Sequence, residues 1–237
     1  MPYQEKTWIK AADKFFFFSR LVACALACQY TAPVRRQFRM RRCKRRVVAN
    51  LLTGEDISVF RGERLVLRGV ALRVESGGAL VLRGENGAGK STLLRALAGL
   101  IPLATGRIAW NGTSAQADFP AHAARIAWLG HLDGIKPGLS VSEHVADPER
   151  LAVLGLERFA NLPARFLSAG QKRRLALARV VSANRPLWLL DEPTTGLDTA
   201  SVARFADVCA THRAAGGMIV TSTHMALDLP GAEVLAL

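Results

Sequence analysis

Two glycines, a lysine and a serine at fixed intervals carry the first chemistry of this chain. In Gly84-Glu85-Asn86-Gly87-Ala88-Gly89-Lys90-Ser91-Thr92 the spacing matches the phosphate-binding loop G-x-x-x-x-G-K-[ST] at every fixed position. Glycine has no Cβ, so such a loop can turn tightly and aim successive backbone N–H groups at an anionic phosphate chain. Lys90 then reaches the β- and γ-phosphates, and the Ser91 hydroxyl ligates Mg²⁺. A second acidic element lies far downstream, where Leu189-Leu190-Asp191-Glu192 ends an apolar run in two carboxylates. Asp191 suits a Mg²⁺ position held through water, and Glu192 suits a base or polariser for an attacking water.

These residues need elements that bring them together. Ala79-Leu80-Val81-Leu82 reads as a buried strand entering the loop, and Thr92 to Ala98 as a helix leaving it, ended by Gly99. That helix adds the positive end of its dipole to the same phosphates. Ile57–Phe60 and Leu65–Val74, separated by Arg61-Gly62-Glu63, read as antiparallel strands. Arg107–Trp110, Ile126–Leu129, Leu187–Leu190 and Met218–Thr221 read as further strands, with a helix over Ser201–Ala215. Ser140-Val141-Ser142-Glu143 has the pattern of a capping box, and 140–180 reads as helical throughout, with breaks near Pro148 and Pro163. Strands alternating with helices predict an α/β fold with a mainly parallel sheet, which presents its ligand crevice at the strands' carboxyl ends.

Leu167-Ser168-Ala169-Gly170-Gln171, ahead of a helix over Lys172–Ser182, resembles the signature motif LSGGQ of ABC ATPases. Over about residues 55–230 the chain resembles the ATP-binding subunit of ABC transporters. The resemblance implies a P-loop NTPase of ABC type over 50–237: a mainly parallel core, an antiparallel β subdomain, and a small helical subdomain at about 131–180. It also implies ATP and Mg²⁺ as ligands. The Gly84–Thr92 loop would hold the phosphates, while Ser168 and Gly170 would meet the γ-phosphate held by a second copy of the chain. Thr195-Gly196-Leu197-Asp198 is similar to the D-loop, with Asp198 coupling the two sites. Thr221-Ser222-Thr223-His224 is similar to the switch-histidine loop, with His224 on the γ-phosphate.

Two positions depart from the family pattern. Where a glutamine usually follows the strand Ile126–Leu129, the chain has Gly130-His131. His131 would take over γ-phosphate sensing, or a Mg²⁺-bound water, with the one acceptor of a neutral imidazole. The aromatic that usually stacks on adenine is displaced to the neighbourhood of Arg61, leaving adenine to Phe60 or to the Arg61 guanidinium. The Gly-His pair, the segment Gly134 to Glu143, the short domain and its ending from Leu187 to Leu237 resemble the haem-exporter ATPases of bacterial cytochrome c biogenesis. That implies an ATP hydrolase powering haem export or release of a haem-loaded chaperone. It also implies a homodimer with ATP bound, separate membrane permease subunits docking near 131–165, and a peripheral position on the cytoplasmic face of the inner membrane. Another small-molecule or lipid cargo, or a soluble ABC ATPase, remains as the alternative.

The chain has 237 residues, half of them hydrophobic, and a net charge of +13. Residues 1–46 hold twelve Lys/Arg against Glu5 and Asp13, so the rest carries 20 basic against 17 acidic residues. With the charge in one appendage, nucleic acid is not expected as a partner. Residues 15–30 follow three lysines and resemble an export signal, but Arg20 interrupts an apolar run too short to span a membrane. The 35–46 cations also suit a surface arm on anionic lipid. We read residues 1–49 as an extension outside the working protein, with translation starting near Met40. Cys24, Cys28, Cys43 and Cys209 show no metal-ligand pattern and read as isolated thiols. His122, His144 and His212 read as structural.

Overall fold

A computed structural model of the protein describes residues 49–223 and 227–237. The expectations for the basic extension and for His224 lie outside the described residues. The chain opens with β1 (Leu51–Arg61), turns at Gly62 and returns as β2 (Arg64–Glu75), antiparallel, with Arg61 opposite Arg64 and Leu51 opposite Glu75. β1 starts six residues before the expected strand, because the pairing slips between Gly54 and Ile57, where Asp56 adopts a left-handed φ of 49°. Such a bulge breaks the alternation by which a strand is read.

β3 (Ala79–Arg83) leads into the phosphate loop and α1 (Lys90–Leu97). β4 (Thr105–Trp110) and β5 (Thr113–Ser114) pair across Asn111-Gly112, both at positive φ, as a tight hairpin turn demands. A short helix not foreseen, α2 (Phe119–Ala123), is capped by the Asp118 carboxylate and precedes β6 (Ile126–Leu129).

Residues 140–168 correct the expectation of continuous helix. They form α3 (Val141–His144), α4 (Pro148–Val153) and two single 3₁₀ turns at Glu157–Phe159 and Ala164–Phe166. Ser140 and Glu143 make the expected capping box, but α3 ends after four residues. Pro148 opens α4 rather than breaking a helix, with Asp147 accepting from Glu149 N–H and Arg150 N–H. A proline in the first turn loses no intrahelical hydrogen bond. α5 (Ala169–Ser182) starts three residues before the expected helix, because Ser168 caps it in a reciprocal box with Gln171. β7 (Leu187–Asp191), α6 (Thr199–Ala214), β8 (Met218–Ser222) and an unforeseen β9 (Glu233–Ala236) complete the chain.

Two sheets result: an antiparallel one ordered β2-β1-β4-β5, and a parallel one ordered β6-β7-β8-β3-β9. Leu80, Leu82, Leu187, Leu189, Met218 and Val220 turn one way, onto α1 and the antiparallel sheet. Their neighbours Ala79, Val81, Trp188, Leu190 and Ile219 turn the other way, onto α5, α6 and the small helices. With both faces covered, the parallel strands are continuous apolar runs. Among the described residues no helix is long and apolar enough to cross a membrane.

On the second core, His212 of α6 stacks on Trp188 with ring centroids 3.8 Å apart and planes 8° from parallel. Burial pushes its imidazole down from the ordinary 6.5 to about 4. The folded protein therefore binds fewer protons here than the unfolded chain does between those values. Wild-type stability should fall as pH drops from 6.5 toward 4 and should gain nothing from this group above 6.5. His212→Gln should flatten that part of the slope, as read by urea unfolding at about pH 5 and about pH 7.5.

Candidate nucleotide site

The strand register places the acidic and phosphate-binding segments side by side. Leu82 of β3 pairs with Ser222 of β8, Ser222 pairs with Asp191 of β7, and Leu190 pairs with Leu129 of β6. The phosphate loop, Glu192, and Gly130-His131 therefore all leave the carboxyl edge of one sheet. This is where open α/β sheets bind ligands. A cleft of about 790 Å³ opens there, lined by Asn86, Gly87, Gly89, Lys90, Ser91 and Thr92 from the loop. His131, Asp191 and Glu192 line its other side.

The loop is shaped by backbone that side chains resist. Gly87 and Gly89 sit at φ 88° and 106°, and a Cβ on Gly89 would lie 2.6 Å from the Leu67 side chain. Gly89 caps α1 without a side chain, so the first-turn N–H groups of Lys90, Ser91 and Thr92 lack a side-chain acceptor, as a phosphate site requires. Lys90 is buried, and its ammonium donates to the Gly84 and Glu85 carbonyls at 2.8 and 2.9 Å. Of its three N–H donors, two brace the loop. Ala88 N–H closes the turn onto the Glu85 carbonyl at 3.2 Å.

Ser91 donates its hydroxyl to the Asp191 carboxylate at 3.0 Å, and Ser222 donates to the same oxygen at 2.7 Å. Two hard oxygens, one hydroxyl and one carboxylate, thus converge beside the phosphate loop. That is the sparse protein ligation Mg²⁺ accepts when phosphate and water supply the rest. Groups of three or more His, Cys, Asp or Glu able to hold a metal are absent among the described residues. Glu192 follows with a left-handed φ of 51°, its N–H donating to the Ser222 carbonyl at 3.1 Å. Such a conformation costs a non-glycine residue energy and persists only where surroundings hold it.

The remaining candidate residues lie elsewhere. Ser168 is exposed, its hydroxyl accepting from Gln171 N–H at 3.2 Å. Neither Ser168 nor Gly170 lines the cleft. Gly170 instead faces the D-loop segment of its own chain, where a Cβ would stand 3.0 Å from the Gly196 carbonyl. Asp198 caps α6 by accepting from Ser201 N–H at 2.7 Å, a bond that holds its carboxyl below the usual range. Phe60 is 54% exposed and does not line the cleft, whereas Arg61, Arg64 and Val66 do.

Sequence reasoning gave no role of its own to Ser222, which it placed within Thr221-Ser222-Thr223-His224, and missed Arg173, which sits in the cationic run Lys172-Arg173-Arg174. His122 and His144 make backbone bonds, to the Leu97 carbonyl for the first and with Ser140 and Lys136 for the second. Cys209 is buried, and burial pushes its thiol up to about 12, so it stays protonated.

Comparison with known proteins agrees with this geometry. A family model described as ABC transporter matches residues 67–195. A protein of Rhodospirillum rubrum called cytochrome c biogenesis ATP-binding export protein CcmA is 51% identical over 199 residues, 79% of this chain and 85% of the relative. Its namesake in Paramagnetospirillum magneticum is 51% identical over 201 residues, 78% of this chain and 93% of that protein. A solved ATP-binding subunit of an ABC transporter superposes with a TM-score of 0.68 at 26% identity, over 74% of this chain and 80% of the other. An ATP-bound exporter of the bacterial Atm1 family, 20% identical, shares the fold with a TM-score of 0.71, covering 80% of this chain and 37% of that one.

Of the two residues offered for adenine, Arg61 lines the cleft and Phe60 does not. Arg61→Ala should weaken ATP binding by about two- to fivefold, the range of a partly exposed cation–π contact. Phe60→Ala should leave affinity within about twofold, both read by titration with a fluorescent ATP analogue.

Proposed function

The chain belongs to the ABC transporter family, and from that membership we propose that it is the ATP-hydrolysing subunit of a haem exporter, or haem-chaperone release system, serving cytochrome c biogenesis. The observation that carries the hydrolytic reading is the hydrogen bond from Ser91 to Asp191. It joins the phosphate loop on α1 to the acidic end of β7 across a cleft large enough for a nucleotide. The cytochrome c assignment is supported by the relatives carrying that name at 51% identity over most of both chains.

The loop N–H groups and Lys90 bind and orient the phosphate chain of ATP. Ser91 and Asp191 would hold Mg²⁺, which supplies a counter-charge to the phosphate oxygens. Glu192, one residue beyond, takes the proton of a water aimed at the γ-phosphate, and Ser222 keeps the Asp191 carboxylate turned toward the loop. His131 approaches the same cleft from β6 and is proposed to sense the γ-phosphate. His224 is proposed for a γ-phosphate contact.

Ser168 and Gly170 do not line the cleft of their own chain and stand at the start of α5. We assign them to the γ-phosphate of a second copy, so that two chains close around two nucleotides, with Asp198 coupling the two sites. Closure driven by ATP and reopening after hydrolysis are a population shift between two dimer states. Separate integral membrane subunits would receive that motion near 131–165, placing the chain peripherally on the cytoplasmic face of the inner membrane. Residues 50–237 form the ATPase domain in this reading, with the small helical subdomain at about 131–180.

Glu192→Gln should keep ATP binding, abolish turnover and trap an ATP-bound dimer visible by size-exclusion chromatography; full hydrolysis by this variant would sink the assigned role. Lys90→Ala should lose nucleotide binding itself. In cells, deletion of the gene should abolish holo-cytochrome c while b-type haems persist, as read by haem staining and difference spectra. Loss of both would argue against the cytochrome c role.

A further inference from the structure

Of three consecutive cations on α5, only Arg173 turns fully inward, to 5% exposure. Its Nε donates to the Pro193 carbonyl at 3.3 Å. One terminal nitrogen donates to the Gly130 carbonyl at 3.2 Å and to the Asp133 carboxylate at 2.7 Å. The other donates to the Asp191 carbonyl at 2.9 Å and to the Glu192 carbonyl. All five N–H donors of the guanidinium are thereby used. They reach two segments far apart in sequence, the loop after β6 that carries His131 and the end of β7 that carries Asp191 and Glu192.

A buried guanidinium with a single carboxylate partner is an expensive way to fill space, since well-packed apolar side chains of similar volume serve stability as well or better. What a hydrophobic residue cannot do is hold four carbonyls in one plane. Three of those carbonyls, of Asp191, Glu192 and Pro193, include or flank Glu192, whose left-handed backbone needs external restraint. Ser222 restrains its N–H side, and Arg173 restrains its carbonyl side.

We infer that Arg173 is a positioning residue for hydrolysis: its guanidinium fixes the strained backbone of Glu192, ties it to the His131 loop, and makes both move with α5. The helix whose start carries Ser168 and Gly170 is thereby linked to the acid of its own chain's cleft. Placement of the signature segment on a partner's nucleotide and placement of Glu192 become one event. The inference rests on the reading of Glu192 as the group that takes the water's proton.

The test uses the chain in the complex purified from its native membranes, comparing wild type with Arg173→Met, Arg173→Lys, Asp133→Asn and Glu192→Gln. Measured are kcat and KM for ATP, affinity for a non-hydrolysable ATP analogue, and the thermal midpoint. Arg173→Met should lower kcat per folded molecule by about ten- to a hundredfold, the penalty for a catalytic group displaced by about 1 Å. KM and analogue affinity should stay within about threefold, since Arg173 does not line the cleft. Arg173→Lys should recover part of the loss, its ammonium reaching Asp133 and some of the carbonyls. Asp133→Asn should cost less than Arg173→Met, because the carbonyl contacts survive.

Wild-type kcat per folded molecule in the Arg173 variants, or a loss confined to KM or to the thermal midpoint, would overturn the inference. Should Arg173→Met fail to fold, Arg173→Lys and Asp133→Asn decide by the same criteria. If Glu192→Gln abolishes turnover while the Arg173 variants turn over normally, only this inference fails. If Glu192→Gln turns over normally, the underlying reading of Glu192 fails first.

Discussion

One carboxylate, that of Asp191, holds the site's parts in relation to one another. It is 3% exposed and takes hydroxyl hydrogen bonds from two directions, from Ser91 at the start of α1 and from Ser222 at the end of β8. A buried carboxylate must be satisfied by donors or a cation. Its position therefore constrains the strand that bears it, the helix that follows the phosphate loop, and the neighbouring strand. The cleft exists because these three are joined at one point rather than merely packed together.

That constraint works only if the three strands keep their register. The parallel sheet is covered on both faces, by α1 and the antiparallel sheet on one side and by α5 and α6 on the other. A slip of one residue would turn each apolar set to the wrong core. The alternation of Leu189 with Trp188 and Leu190, or of Val220 with Ile219, thus serves the chemistry at a distance. It brings Leu82, Ser222 and Asp191 into one row at the sheet's edge. The energy is in the core, and the geometry is delivered at the carboxyl ends.

In the proposed dimer the same architecture leaves the site incomplete within one chain. The exposed start of α5, with Ser168 capping it and Gly170 near Gly196, does not line the cleft that Lys90 and Ser91 line. An exposed helix start presents the positive end of its dipole to an anion brought from outside. On that proposal one half of a site stands on the sheet edge and the other half on a separate helix.

What the sequence determined by itself was the chemistry carried by contiguous residues. A phosphate loop needs its glycines, lysine and hydroxyl within nine positions, so Gly84–Thr92 declares its function locally; so does a strand ending in Asp191-Glu192, and so does the capped start of α5. The main strands were legible for the same reason, since burial on both faces leaves unbroken apolar runs. Residues 140–168 were not, because short turns with prolines and local caps have no periodicity to read. Arg173 was invisible among three adjacent cations: its partners lie 18 to 43 positions away. Ser222 reached Asp191 only through the pairing of β7 with β8, and it is Arg61 rather than Phe60 that lines the cleft. Tertiary structure alone decided these, because the orientation of a side chain toward a distant backbone is set by packing that no local pattern encodes.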